Sequence, residues 1–180
     1  MPLTGKKMVI TGAAGGLGAG VARVAKRQGA EVVLLDVIED FQSDLGQTFS
    51  VDLTDSDNVE ACFEAIGPFD IVANIAGGFD MGPEVHQTDD ALWDALFDIN
   101  VTTLRRVLSA ATPRLLANGG GRIINVGAVG ALKGGPNMGA YLASKSVVMR
   151  LTESLSEEVK GQGINVNAVL PSVINTARNR

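Results

Sequence analysis

The stretch "KMVITGAAGGLGAGVA", Lys7 to Ala22, joins an apolar run to a glycine-rich turn and then to a helical pattern. Residues 7–12 read as a β-strand, and Gly16 to Gln28 as an α-helix. Three glycines punctuate the join. Gly12 permits a tight exit from the strand. Gly16 leaves no side chain in the path of a diphosphate approaching the backbone. Gly18 lets the helix pack close. The helix N-terminus then offers unpaired N–H groups and a partial positive charge to an anion. Thr11 and Leu17, between and beside these glycines, belong to the same expected dinucleotide cradle. The order strand, glycine turn, helix is the context that gives such a pattern its meaning.

The same alternation continues outward. Residues 30–36, 47–52, 69–77, 121–128 and 163–171 read as further strands. Residues 57–66, 88–116 and 139–161 carry helical spacing. The strands are continuous apolar runs, as in parallel sheets covered on both faces by helices. Strand–helix alternation with right-handed crossovers predicts an α/β fold, a doubly wound parallel sheet in three layers. No linker, low-complexity segment or repeat interrupts it, so residues 1–180 are expected to form one dinucleotide-binding domain.

Composition narrows the function. Fifteen Lys and Arg stand against 20 Asp and Glu, a net charge of −5. That balance argues against a nucleic-acid partner and leaves no polybasic patch for a membrane. No apolar run approaches the roughly 18 residues of a membrane span. Lys6 and Lys7 before the apolar stretch imitate a signal peptide, but the glycine spacing accounts for it better. The one cysteine, Cys62, fits a reducing compartment, hence the cytoplasm. The one histidine, His86, lacks partners for a metal site and reads as a surface residue, so no metal is expected.

Asp36 ends the second strand, 18 residues after Gly18. A carboxylate there can accept from both hydroxyls of an adenosine ribose and would repel a 2′-phosphate, which favours NAD over NADP. Asp52 ends the third strand, followed by Leu53. The pair either meets an adenine edge or turns the chain in "VDLTDSD". Trp93 and Phe97, four apart, suggest packing or a subunit contact. Arg105 and Arg106 read as a solvated helix face, and Met138 as either pocket lining or packing.

Tyr141 and Lys145 are also four apart on a helix and share a face. A free phenol has a pKa of about 10. A neighbouring ammonium favours phenolate, so Lys145 is expected to lower that value and fit Tyr141 for proton transfer. The pair opens the helix after the fifth strand, at the carboxyl edge of the sheet where ligands bind.

With these residues in view the sequence resembles the short-chain dehydrogenases/reductases. "TGAAGGLG" (11–18) is similar to that family's cofactor turn. "NIAG" (74–77) is similar to its Asn-Asn-Ala-Gly segment, with Ile75 for the second asparagine. "INV" (99–101) carries its relay asparagine, here Asn100. "YLASK" (141–145) is similar to its Tyr-x-x-x-Lys, and "LPSVINT" (170–176) to its Pro-Gly…Thr segment, with Ser172 for glycine. The resemblance implies that Tyr141, Lys145 and Asn100 are catalytic. It implies that Asn74, Ala76, Gly77, Pro171 and Thr176 join the cofactor residues.

One departure stands out. The family places a serine 13 residues before the tyrosine; here that position is Ala128. Ser144 and Ser146, beside Lys145, cannot replace it on spacing. "GAVGALKGGPNMGAYLASK", "NIAGGF" and "LPSVINTARNR" resemble the dihydropteridine reductase-like branch, which also lacks the serine and uses NADH. The resemblance therefore implies an NADH-dependent oxidoreductase acting on a quinonoid pterin-like or carbonyl substrate. The competing expectation is a non-catalytic dinucleotide-binding sensor or scaffold. Family members run longer, so a lid and a last strand are expected beyond Arg180. They also pair their long helices, which implies a homodimer or homotetramer through 88–116 and 139–161.

Overall fold

The computed structural model describes residues 1–175. Six parallel strands form one sheet: β1 (Lys7–Thr11), β2 (Glu31–Asp36), β3 (Gln47–Ser50), β4 (Ile71–Asn74), β5 (Gly121–Val126) and β6 (Ile164–Val169), in the spatial order β3-β2-β1-β4-β5-β6. This is the doubly wound order with its switch point between β1 and β4. From β1 the chain winds one way to β2 and β3. From β4 it winds the other way to β5 and β6. The two windings part at the carboxyl ends of β1 and β4 and leave a crevice there.

Alternate residues of each strand explain the uninterrupted apolar runs. Val9, Val33, Leu35 and Val72 face one side, against Val59 and Phe63 of α2 (Ser56–Ile66), Leu104 and Val107 of α4 (Thr103–Ala117), and Val148 of α5 (Gly139–Glu158). Met8, Ile10, Val32, Leu34 and Ala73 face the other, against Ala22 and Ala25 of α1 (Gly16–Arg27). A strand with helices on both faces has no polar side to show. Phe63 and Phe69 are fully buried and meet edge-to-face at 5.6 Å; each contributes about 1.5–3 kcal/mol by leaving water. No helix among the described residues is long and apolar enough to cross a membrane.

The structure differs from the sequence pattern at one instructive place. The segment 88–116 is not one helix. It is α3 (Asp90–Phe97), a wide π-helical turn at Asp98–Thr102, and α4. A π turn carries one extra residue per turn, often at functional sites. Its one side chain buried deep in the protein is Asn100. The strand expected over 69–77 also stops at Asn74, because residues 75–78 turn away to meet other partners.

Candidate active site

The crevice is built from the ends of β1 and β4. Gly12 follows β1 with φ +63°, in the left-handed region that side chains avoid. A Cβ there would stand 2.8 Å from the Cα and N of Ala76, so the two strand exits touch backbone to backbone. A Cβ on Gly18 would come within 2.1 Å of the Gly12 carbonyl oxygen, which makes glycine obligatory for closing the turn onto α1. The N-terminus of α1 has no side-chain cap and no acidic residue in its first turn, so Gly16 and Leu17 stand where its free N–H groups face outward. These features fit a diphosphate cradle. Asp36 holds the rim: one carboxylate oxygen accepts from the Ala14 N–H at 2.9 Å, the other from Ile38 at 3.4 Å. Each oxygen keeps lone pairs for further donors.

Some expected cofactor residues serve the frame as well. Thr11 is buried, and its hydroxyl oxygen accepts the N–H groups of both Ile75 and Ala76 at 3.0 Å. Asn74 turns inward and donates to Asn125 Oδ1 at 2.8 Å; Asn125 donates to Thr152 of α5 at 2.8 Å. The amide oxygen of Asn74, Oδ1, is buried with no partner among the described residues. Asp52 accepts from the N–H and hydroxyl of Thr54, the turn arrangement that was one of the two roles open to it. Leu53 packs its side chain into the core. Pro171 follows β6, and its carbonyl accepts from the Val129 N–H at 3.0 Å. Thr176 lies outside the described residues.

Two of the three expected catalytic side chains, Asn100 and Lys145, converge beside the β4 exit, and Tyr141 lies one helical turn before Lys145. Asn100 grips Gly78 twice: its Oδ1 accepts the Gly78 N–H and its Nδ2 donates to the Gly78 carbonyl, both at 3.0 Å. The same Nδ2 donates to Ser144 Oγ at 3.1 Å, and Ser144 donates to the Tyr141 carbonyl at 2.8 Å. Lys145 is 6% exposed and donates to the Val126 carbonyl at 3.0 Å. A Cβ on Gly77 would stand 2.8 Å from Asn100 Oδ1 and 3.2 Å from Lys145 Nζ. Gly77 is therefore the floor on which the amide and the ammonium meet.

Tyr141 is half-buried against Ala128, Ala131, Leu142, Met138 and Met149, with Phe79 edge-to-face at 4.9 Å. The expectation that Lys145 lowers its pKa needs correction. Burial raises the phenol above its ordinary value, and burial pulls the Lys145 ammonium down to about 8. The ammonium is directed at the Val126 carbonyl. Ala128, in the usual serine position, is 7% exposed and lies in the same small apolar cluster as the phenol. Ser146 is committed to the carbonyls of Ala131 and Leu142.

Sequence reasoning missed Ser144 as the link between Asn100 and α5, the Asn125–Thr152 pair behind Asn74, and Phe79. The spacing 141, 144, 145, 148, 152 does mark one face of α5, and it held the signal for Ser144 and Thr152. Trp93 and Phe97 pack together on α3, ring centroids 6.1 Å apart. Arg106 is not the solvated residue its pattern suggests; its Nε is buried without a partner among the described residues.

Known proteins share this architecture. The short chain dehydrogenase family model matches residues 6–180. The chain is 33% identical to nodulation protein G of Rhizobium meliloti (strain 1021), over 97% of this chain and 76% of that one. It is 33% identical to sorbitol dehydrogenase of Cereibacter sphaeroides, over 97% and 72%. Its fold matches carveol dehydrogenase from Mycobacterium avium in complex with NAD, with a TM-score of 0.90, 30% identity and coverage of 97% and 73%. It also matches NAD+-bound xylitol dehydrogenase, with a TM-score of 0.91, 26% identity and coverage of 96% and 72%. The glycine turn at the switch point, the tyrosine and lysine on α5 and these likenesses lead to one conclusion: the chain belongs to the short-chain dehydrogenase/reductase family of oxidoreductases.

Proposed function

We propose that the protein is an NADH-dependent oxidoreductase that reduces a quinonoid pterin-like or carbonyl substrate, with Tyr141 as the proton donor. The observation that carries the reading is the convergence of Asn100 and Lys145 on Gly77, one helical turn from Tyr141 and beside the β1 crevice. A protein that only holds a nucleotide has no use for that arrangement.

The crevice suits NAD. Backbone at Thr11, Gly12, Gly16, Leu17 and Gly18 would hold the diphosphate, and Asp36 the adenosine ribose. Asp52 and Leu53 would border the adenine through backbone; Asn74, Ala76, Gly77, Pro171 and Thr176 would border the nicotinamide half. Asp36 is followed by exposed Val37 and Ile38, and residues 12–18 hold no cation, so nothing there would welcome a 2′-phosphate. The reduced nicotinamide, when bound, supplies the hydride. The chain's own residues do the rest. A phenol whose pKa is raised by burial is fully protonated at neutral pH, which is the state a donor needs. Tyr141 gives that proton to the substrate oxygen or nitrogen. The Lys145 ammonium, still mostly charged at pH 7, offsets the resulting phenolate. Asn100 keeps the backbone at Gly78 fixed and, through Ser144, keeps α5 in register with it.

Ala128 supports the dihydropteridine reductase-like reading. An oxyanion donor contributes about 3 kcal/mol in acyl-transfer sites, and its absence is tolerable where the acceptor ring already takes electrons readily. Ala128→Ser separates the two substrate classes: it should speed ketone reduction and leave quinonoid pterin reduction unchanged. Pairing of two copies through α4 and α5 extends the reading, because Leu108, Leu151 and Leu155 line an open groove between those helices.

Ala128 also supports the alternative of a sensor or scaffold that binds NADH without turnover. NADH oxidation followed with a quinonoid dihydropterin, quinones and ketones decides between them. Turnover of any of these that is lost in Tyr141→Phe supports the enzyme. Silence across the panel with micromolar NADH binding supports the binder.

A further inference from the structure

The chain has a single tyrosine, and its phenol is covered by an aromatic ring that the proton chemistry does not use. Phe79 stands perpendicular to Tyr141, at 88° with centroids 4.9 Å apart, yet remains 49% exposed. Met81 and Val85 are exposed near it in the chain, and a grouping of exposed apolar side chains is the kind of surface that marks a binding site. The position of Phe79 is held at both ends. Gly78, on one side, is gripped by Asn100 through two hydrogen bonds. Gly82, on the other, donates its N–H to the Asn137 carbonyl at 3.0 Å. Asn137 has φ +60°, a conformation of higher energy kept next to the start of α5. The backbone thus ties the 78–82 loop to the segment that precedes Tyr141.

Apolar side chains stand near Phe79 on its own loop and on the facing segment, and the ammonium on this side is the buried Lys145 at Gly77. Met81 and Val85 are exposed on the same loop, and Met138 packs into the tyrosine cluster from the facing side. Val85 lies over Gly139, where a Cβ would meet its Cγ2 at 2.7 Å. Segment 77–90 carries Asp80, Glu84, Asp89 and Asp90 and neither Lys nor Arg. On the facing segment 127–140 the one cation is Lys133, which is exposed. A carboxylate or phosphate on the substrate would meet carboxylates at this rim.

We propose that Phe79 determines specificity: with Met81, Val85 and Met138 it forms an apolar wall beside the Tyr141 hydroxyl that selects substrates presenting a flat, uncharged ring next to the group being reduced. This rests on Tyr141 being the proton donor and names the substrate class of that site. A flat ring can take the place of water against the exposed half of Phe79, in the offset or edge-to-face arrangements that aromatic pairs prefer. The same ring screens the phenol from solvent, so it also sets how far burial raises Tyr141.

The test uses wild type, Phe79→Ala, Phe79→Leu and Phe79→Trp with NADH and four probes. Acetophenone and a quinonoid dihydropterin are flat and uncharged, 2-butanone is small and aliphatic, and 4-acetylbenzoate adds a carboxylate. Wild type should prefer acetophenone to 4-acetylbenzoate by more than about tenfold in kcat/KM. Phe79→Ala should lose about tenfold on whichever flat probe is turned over and less than about twofold on 2-butanone, with NADH affinity unchanged. Phe79→Leu should fall between, and Phe79→Trp should keep the preference. Independently, ultraviolet titration of the one tyrosine should give a lower pKa in Phe79→Ala than in wild type. Equal losses on flat and aliphatic probes, or a wild type indifferent to the added carboxylate, would overturn the specificity role and leave the enzyme standing. Reduction of no probe by wild type would remove the oxidoreductase reading itself. An unmoved tyrosine titration would remove the screening role whatever the kinetics show.

Discussion

Leaving aside α4, which continues from the π turn, the α-helices of the described residues begin in two different ways. α2 and α3 are closed: Asp55 accepts from the N–H groups of Asp57 and Asn58, and Asp89 accepts from that of Leu92. α1 and α5 are open, with Gly15 and Met138 at their N-caps, no side-chain cap and no acid in the first turn. Capping is worth having where nothing else will meet those N–H groups. The two uncapped ends are the ones that carry the glycine turn and Tyr141; capped α3 borders Tyr141 with its side chains, through Leu92 and Leu96.

This contrast can be tested at four depths. Removing the chemistry from an open helix should have the largest effect. Tyr141→Phe should lower turnover about a thousandfold, the range of a lost general acid, while equilibrium NADH binding stays within twofold. A variant with wild-type turnover would end Tyr141's role. Next, an open end can be closed. Gly15 has φ −69° and ψ 158°, which other residues adopt without strain, and a Cβ there meets only the Gly12 carbonyl at 3.3 Å. Gly15→Asp should cap α1 and hold or raise Tm, while weakening NADH binding at least tenfold by bringing a carboxylate to the diphosphate. Unaltered affinity would show that the N-terminus of α1 is not the anion site.

The third effect concerns the buried ammonium. Lys145 titrates near 8 in the folded chain against 10.5 for the free side chain. The unfolded state therefore binds more protons between these values, and stability from this group rises as pH climbs from about 8 toward 10.5. Below pH 8 the burial cost is present in full. Lys145→Met should be more stable than wild type by about 2 kcal/mol at pH 7, after allowing for the lost bond to Val126, and inactive. The stability gap should close above pH 10, as urea unfolding at several pH values would show. A gap independent of pH would mean that the amine is not desolvated. The smallest effect is at a closed end: Asp89→Ala should cost about 1 kcal/mol in unfolding free energy and leave NADH affinity unchanged.

The architecture was readable because its causes are local. Apolar runs of four to six residues flanked by glycine turns specify buried parallel strands, and Gly12 and Gly18 announce backbone contacts that no other residue permits. What escaped was set by packing between distant segments. The amphipathic rhythm of 88–116 gives no sign that one turn is wide, because the segments on either side of it each keep helical spacing on their own. The electrostatics of Tyr141 and Lys145 were misjudged from spacing alone, since spacing shows that two groups are neighbours but not how much water they share. Their shifts come from burial, which for Tyr141 depends on Ala128, Leu142 and Met149 packing against it. Likewise Asn125 reads as an odd residue in an apolar strand until Thr152 arrives from α5 to receive it.

The wide turn at Asp98–Thr102 acts as a phase shifter in the rod that runs from α3 into α4. One surplus residue rotates everything downstream by about 100°. That rotation lets α3 and α4 each present an apolar stripe to the body of the protein while Asn100 points sideways at Gly78. Shortening the chain by one residue here, for example by deleting Val101, should give a straighter and perfectly regular helix that no longer reaches the β4 exit. An irregularity of this kind survives because a smoother rod would point its asparagine the wrong way.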